Sequence, residues 1–455
     1  MSFTNLFFLF GLFPIFIIVY YILNHKKTLQ LILLGVANTI FYIWSGAWAF
    51  LIVLALAFIT WFFSKLCYKK IFFILGICLI NFPLLYIKFS GFFLEKLGVC
   101  INSSGMGNDN ITLLGISFIT FESVSCICDV RNKKTGHLSF GTVFLYLFFF
   151  PTVVSGPIMR INDFIKHSSG SVLELKYNEG MRRFFTGLCK KNLLADKIAP
   201  LADYFFNGVA NGGSYSIVGL WIGSVAYTMQ LYFDFSGYSD MAIGIGKILG
   251  FEIPENFRQP YQAKSIHDFW KRWHITLSTW FRDYIYIPLG GSRKSTAVYI
   301  RNMLIVWMLT GIWHGTGWTF IIWGVAYFVL LIIEKYIPVM QKIGSKWYGR
   351  IYTMFFVNLL WIPFRADSFD TMMRYLKGMI GLSEHVAIEN IVYEMSPILF
   401  MAVLICNLPV ENMRKTISEH RVVRGMRDFL FLCFIFLAIC ALLNRTYTPY
   451  IYGSF

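Results

Sequence analysis

Four times in its first 88 residues this chain runs through a predominantly apolar stretch of 16 to 18 residues: 6–23, 29–44, 46–63 and 71–88. A helix needs roughly 20 such residues to cross a hydrocarbon core. Only helices and closed barrels satisfy every backbone polar group there. Short basic links separate the stretches, His25-Lys26-Lys27 and Lys65 with Lys69-Lys70. Similar stretches follow at 112–128, 138–154, 215–233, 302–313 with 316–334, 351–363, 395–409 and 428–444. The pattern predicts an all-α polytopic membrane protein of about 10–11 transmembrane helices. The stretches near 112–128, 302–313 and 351–363 are short or flecked with polar residues, which suits broken, tilted or re-entrant pieces whose backbone is covered by protein or a watery cavity. Hydrophobic residues make up 57% of the chain and charged residues 14%. Soluble domains run at about 45–50% and about 25%, so no soluble domain is evident.

The net charge of +16 would suggest nucleic acid in a soluble protein. Here the Lys and Arg lie between apolar runs, where they mark cytoplasmic loops and meet anionic lipid. No nucleic-acid partner is expected. Arg131 with Lys133-Lys134, and Arg414 to Arg427, join the two early basic links as cytoplasmic markers. The N-terminus and the comparatively acidic stretch 364–395 then fall outside. Alternation puts the C-terminus outside as well, and one re-entrant helix would reverse that. Residues 1–5 carry no Lys or Arg, and 6–23 reads as a span rather than a cleaved leader. The expected location is the cell inner (plasma) membrane, crossed many times.

Nine cysteines are scattered without a C-x-x-C pair, so neither a metal site nor a disulfide framework is indicated. No G-x-S-x-G, P-loop or H-E-x-x-H pattern occurs. The middle, 155–300, is dense in Gly, Pro and charge and reads as short interfacial and re-entrant helices grouped around a cavity. Within 231–251, Gly237, Ala242, Gly244 and Gly246 allow close helix approach. Asp234 and Asp240 are six apart and face different sides; a paired or capping acid is the plain reading of each, beside a functional one.

The segment 266–286 carries Lys271, Arg272 and Arg282 with Trp270, Trp273, Trp280 and Phe281, the pattern of an amphipathic helix near the membrane surface. His267 and His274 share a face of such a helix, roughly 10 Å apart. Ser278, one turn on, is placed to hold the His274 ring. Alone, His274 reads first as an interfacial histidine satisfied by a neighbour. His314 lies between Trp313 and Gly315 at the end of an apolar run. An ionisable group there is a functional candidate, and a buried neutral histidine can act as a base. A structural role remains the alternative.

These residues resemble the membrane-bound O-acyltransferases, in the bacterial branch of alginate O-acetylation and teichoic-acid D-alanyl transfer proteins. The resemblance rests on LGISFITFESVSCICDV (114–130), PTVVSGPIMR (151–160), GLCKKNLLADKIA (187–199), the run from Tyr232 to Arg293, and GIWHGTGWTFIIWG (311–324), with a similar ending PYIYGSF. It implies a ring of helices around a thin core with a central funnel opening from outside, His314 as the essential residue and His274 as the second histidine. The central motif is closer to the alginate type. Glu122 and Thr152 stand where the family usually has Gln.

One domain over 1–455 is therefore expected, with a motif-dense core at 110–365 and peripheral helices at 1–100 and 366–455. The expected chemistry is O-acetylation of an extracytoplasmic polysaccharide from a cytoplasmic thioester, acetyl-CoA, with no bound cofactor. His314 and His274 are the catalytic candidates. Asp240, Trp273, Ser278 and Trp313 are substrate-binding candidates, and Asp240, Asp268 or Asp283 would orient a ring. Lys190, Lys191 and Arg272 would ring the donor's inner mouth. The acceptor side is an extracytoplasmic acetyltransferase or the polysaccharide itself. D-alanyl transfer from a carrier protein, a transporter and a non-catalytic scaffold are the rival readings.

Overall fold

The computed structural model describes residues 3–96, 115–169, 175–344, 346–382, 386–408 and 421–444. The C-terminal PYIYGSF and the first half of the Arg414 to Arg427 stretch, 414–420, lie outside these residues. Among the described residues the regular structure is helical, and no strand occurs.

The chain opens with α1 (Phe8–Ile22), α2 (Lys27–Ser45), α3 (Ala47–Leu66) and α4 (Lys70–Lys96). Gly46 alone joins α2 to α3, at φ +132°, a conformation that costs glycine nothing. The start of α2, the end of α3 and the start of α4 carry Lys27, Lys65 and Lys70, so their basic ends share one side. Next come α5 (Ile116–Arg131), α6 (Phe140–Leu147), α7 (Ile161–Ser169), α8 (Tyr177–Cys189) and α9 (Asp196–Ala210). The expected span 138–154 is only the two turns of α6. Phe148 leaves helical geometry, and Pro151 and Pro157 offer no N–H to continue a ladder.

The expected span 215–233 is the first half of α10 (Ile217–Leu249), a helix of 33 residues. The Ser216 hydroxyl caps its start by accepting from the Gly219 N–H at 2.9 Å, and Gly250 ends it at φ +80°. Small residues let α8 cross it with backbone contact. A Cβ at Gly187 would sit 2.3 Å from the Gly237 carbonyl, and one at Gly180 2.6 Å from the Gly244 carbonyl. The close-approach reading of Gly237 and Gly244 holds.

The remainder is α11 (Ile266–Arg272), α12 (Ile275–Phe281), α13 (Thr296–His314), α14 (Trp318–Tyr336), α15 (Pro338–Gly344), α16 (Gly349–Arg365), α17 (Phe369–Met379), α18 (Asn390–Asn407) and α19 (Arg421–Leu443). Seven helices among the described residues are long and apolar enough to cross a membrane: α2, α3, α4, α13, α14, α18 and α19. This is a polytopic all-α membrane protein.

The segment 266–286 is not one surface helix. It breaks between α11 and α12 at His274, which takes the left-handed conformation at φ 45°. Trp273, Trp280 and Phe281 are buried. The break also removes the shared face of His267 and His274. Its cause is the extended stretch before α11. The carbonyl of Asn256 accepts from the Ile275 N–H at 3.0 Å, and that of Arg272 accepts from the Arg258 N–H at 2.9 Å. These bonds draw the backbone away from its own helical partners.

Candidate active site

His314 is the last residue of α13, and a two-glycine turn sends the chain back as α14. The hairpin is closed by missing side chains rather than by strain. Gly315 is extended, at φ −178°. A Cβ there would lie 2.2 Å from the Phe320 ring, one at Gly311 2.6 Å from the Phe320 carbonyl, and one at Gly324 2.5 Å from the Trp307 carbonyl. α13 and α14 thus touch backbone to backbone up to His314.

The His314 ring is buried, 4.6 Å from the Trp313 ring, 4.9 Å from Phe364 and 5.0 Å from Trp323 between centroids. It lines a cavity of about 740 Å³. The walls are the 315–317 turn, the end of α16 with Ala366 and Asp367, and faces of α9 and α10. Lys191 reaches this cavity and is ion-paired with Asp234 and, at 3.0 Å, with Asp196. All three side chains are nearly closed to solvent, at 3%, 2% and 10% exposure. Arg365 and Asp203 pair across the lip at 2.9 Å. Lys88 of α4 also lines the cavity and donates to the Trp313 carbonyl, one residue before His314.

His274 lies on the other side of Trp313, whose ring packs against both histidines, at 6.4 Å from His274. Phe235 and Phe118 flank the His274 ring at 4.8 and 6.3 Å. Its Nδ1 faces Asn256 Oδ1 at 3.2 Å. Ser278 meets His274 through a main-chain bond, its N–H donating to the His274 carbonyl at 3.1 Å, while Asn256 is the side chain on the ring. The expected carboxylate orienters hold cations instead: Asp268 binds Arg272 at 2.9 Å, and Asp283 binds Arg160 at 3.3 Å and Arg282 at 2.8 Å.

Asp240 belongs to a separate cluster. Lys190 and Arg183 reach its two oxygens at 2.7 and 2.6 Å, and Arg183 bridges on to Glu255 at 2.6 Å. Lys190, Lys191 and Arg272 therefore do not form one ring. Consecutive residues of a helical turn point in different directions, so Lys190 reaches Asp240 and Lys191 reaches Asp234. Arg272 stays on its own helix with Asp268. Trp273 is core, stacked on Phe269 at 5.5 Å and packed on Trp361 at 5.1 Å. Glu122 and Thr152 are both buried, the Thr152 hydroxyl donating to the Phe149 carbonyl at 3.1 Å.

Asn256, Lys88, Asp196 and Arg183 escape a sequence reading. Lys88 is the single cation at the end of the 71–88 run, and that position was the available signal.

The family model described as the membrane-bound O-acyltransferase family matches residues 46–373, and so includes both histidines and the whole cavity wall. The chain belongs to this family. Among its relatives is a probable alginate O-acetylase of Azotobacter vinelandii, 39% identical over 311 residues, which are 66% of this chain and 60% of that protein. A probable alginate O-acetylase of Pseudomonas aeruginosa is 37% identical over 409 residues, 84% of this chain and 75% of the relative. A peptidoglycan O-acetyltransferase of Helicobacter pylori is 35% identical over 350 residues, 70% of this chain and 66% of the relative. The matched region thus spans three-fifths to three-quarters of these relatives.

Proposed function

We propose that this O-acyltransferase family member moves an acetyl group from a cytoplasmic thioester, acetyl-CoA, to a hydroxyl outside the cell membrane. The acceptor is an envelope polysaccharide or a partner acetyltransferase that serves one. The observation that carries the reading is the placement of His314 in its cavity, at the turn of the α13–α14 hairpin. The opposite ends of those two helices carry Arg293 and Lys294 before α13 and Lys335, Lys342 and Lys346 at and beyond the end of α14. By the positive-inside rule those ends face the cytoplasm and the cavity side faces out. The Lys190–Asp240–Arg183 cluster belongs to the donor's side.

In the reaction His314 takes the acceptor's hydroxyl proton as general base, help typically worth about 10²–10⁴-fold. The oxygen attacks the thioester carbonyl carbon. The tetrahedral intermediate then expels the thiolate, the C–S bond breaks, and the thiolate takes up the proton to leave as the thiol. His274, across Trp313, polarises the donor or relays that proton. Trp313 and Trp323 hold the His314 ring and exclude water from the acyl group.

The test offers purified protein in proteoliposomes either labelled acetyl-CoA or a D-alanyl-loaded carrier protein, with a polysaccharide acceptor on the other side. Label from acetyl-CoA is expected. Label from the carrier alone would replace the donor, and label from neither would favour a scaffold.

A further inference from the structure

Asn256 sits in the extended stretch between α10 and α11 and is fully buried. Three groups converge on its Oδ1: the Thr276 N–H at 3.2 Å, the Thr276 hydroxyl at 2.9 Å and Nδ1 of His274 at 3.2 Å. A backbone N–H can only donate, so the Asn256 atom facing it is the carbonyl oxygen and the amide orientation is fixed. The hydroxyl agrees: Thr276 Oγ1 accepts from the Ile158 N–H at 3.0 Å, and its own proton goes to Asn256. An oxygen that only accepts then faces His274 Nδ1, so Nδ1 carries a proton. In the neutral ring the lone pair is on Nε2. The backbone of Asn256 acts on the same residue, since its carbonyl accepts from the Ile275 N–H and holds the left-handed turn at His274.

We propose that Asn256 is a positioning residue for acyl transfer, locking His274 as the Nδ1-protonated tautomer so that Nε2 is its proton-accepting nitrogen. Its catalytic consequence rests on the acyl-transfer reading above; the tautomer does not.

The experiment uses the full-length protein in nanodiscs with ¹⁵N-labelled histidine, comparing wild type, Asn256→Leu, Asn256→Asp and His274→Ala. The His274 signal is expected as Nδ1–H in wild type and Asn256→Asp, and as a mixed tautomer in Asn256→Leu. For acetyl transfer, Asn256→Leu should lower kcat by about 10–100-fold, the usual effect of losing a partner that orients a functional histidine, with the donor KM nearly unchanged. Asn256→Asp keeps the acceptor and should recover most of that loss. Its negative charge favours the imidazolium, so the acid limb of the pH profile should move upward. In the His274→Ala background Asn256→Leu should cost nothing further. An Nε2–H tautomer in wild type, or an equal loss from Asn256→Leu with and without His274, would overturn the proposal. If Asn256→Leu does not fold, the wild-type and Asn256→Asp spectra still decide the tautomer. If no form of the protein transfers acetyl, the acyl-transfer reading fails and the spectra alone decide the grip of Asn256.

Discussion

Lys191→Met should be among the most damaging single changes in the cavity wall, because it strips the countercharge from two acids at once. Lys191 is 3% exposed and lies between Asp234, 2% exposed, and Asp196, 10% exposed. Deleting one partner of a buried ion pair costs about 3–5 kcal/mol, since the other charge is left in a poor solvent. Lys191→Met withdraws the paired cation from two nearly closed carboxylates and belongs at the upper end of that range. Asp234→Asn belongs at the lower end, because Lys191 keeps Asp196 at 3.0 Å and gains an amide oxygen. The double variant removes one of those carboxylates together with the lysine. It should therefore be more stable than the sum of the single losses by about 0.5–3 kcal/mol. Equilibrium unfolding by SDS in mixed micelles, followed by tryptophan fluorescence, measures all three. Strictly additive losses, or a Lys191→Met protein within about 0.5 kcal/mol of wild type, the range of ordinary surface changes, would refute the reasoning.

Four further outcomes are expected. Gly244→Val puts a Cβ 2.5 Å from the Phe184 nitrogen and 2.6 Å from the Gly180 carbonyl, and should cost about 1–3 kcal/mol as overpacking does. Gly425→Ala, whose Cβ meets nothing within 4 Å, should be neutral in the same unfolding assay. Gly315→Ala crowds the Phe320 ring beside His314 and should lower transfer by roughly 10²-fold, the effect of a misplacement near 1 Å. Adding Phe320→Ala should restore part of that rate, and no recovery would mean that crowding is not the cause. Lys190→Gln should raise the KM for the thioester donor and leave that for the acceptor in place; equal changes in steady-state kinetics would remove Lys190 from the donor's path.

Most of the spans were readable because a bilayer demands both apolar length and a self-satisfied backbone, and both show in the residue order; 138–154 had the length but only two turns of helix. The α8–α10 crossing was half readable. Gly237 and Gly244 announce a close approach, but their partners Gly187 and Gly180 lie fifty residues or more away. The break at His274 was hidden, because histidine carries no signal for a left-handed turn and the residue that stabilises it lies 18 positions upstream. Adjacency misled at Lys190-Lys191, where helical rotation sends consecutive side chains to different acids. His314 was legible as a candidate from its two glycines and the apolar run before it. Its cavity was not, since the walls come from α4, α9, α10 and α16 together.

The most direct test of the central claim is the acetyl-transfer activity of His314→Ala, measured with labelled acetyl-CoA in proteoliposomes alongside its SDS unfolding curve. The account predicts a folded protein whose transfer falls to background, because the proton-accepting ring has gone while the aromatic wall of Trp313, Trp323 and Phe364 remains. A folded His314→Ala protein that still transfers acetyl groups near the wild-type rate would contradict it.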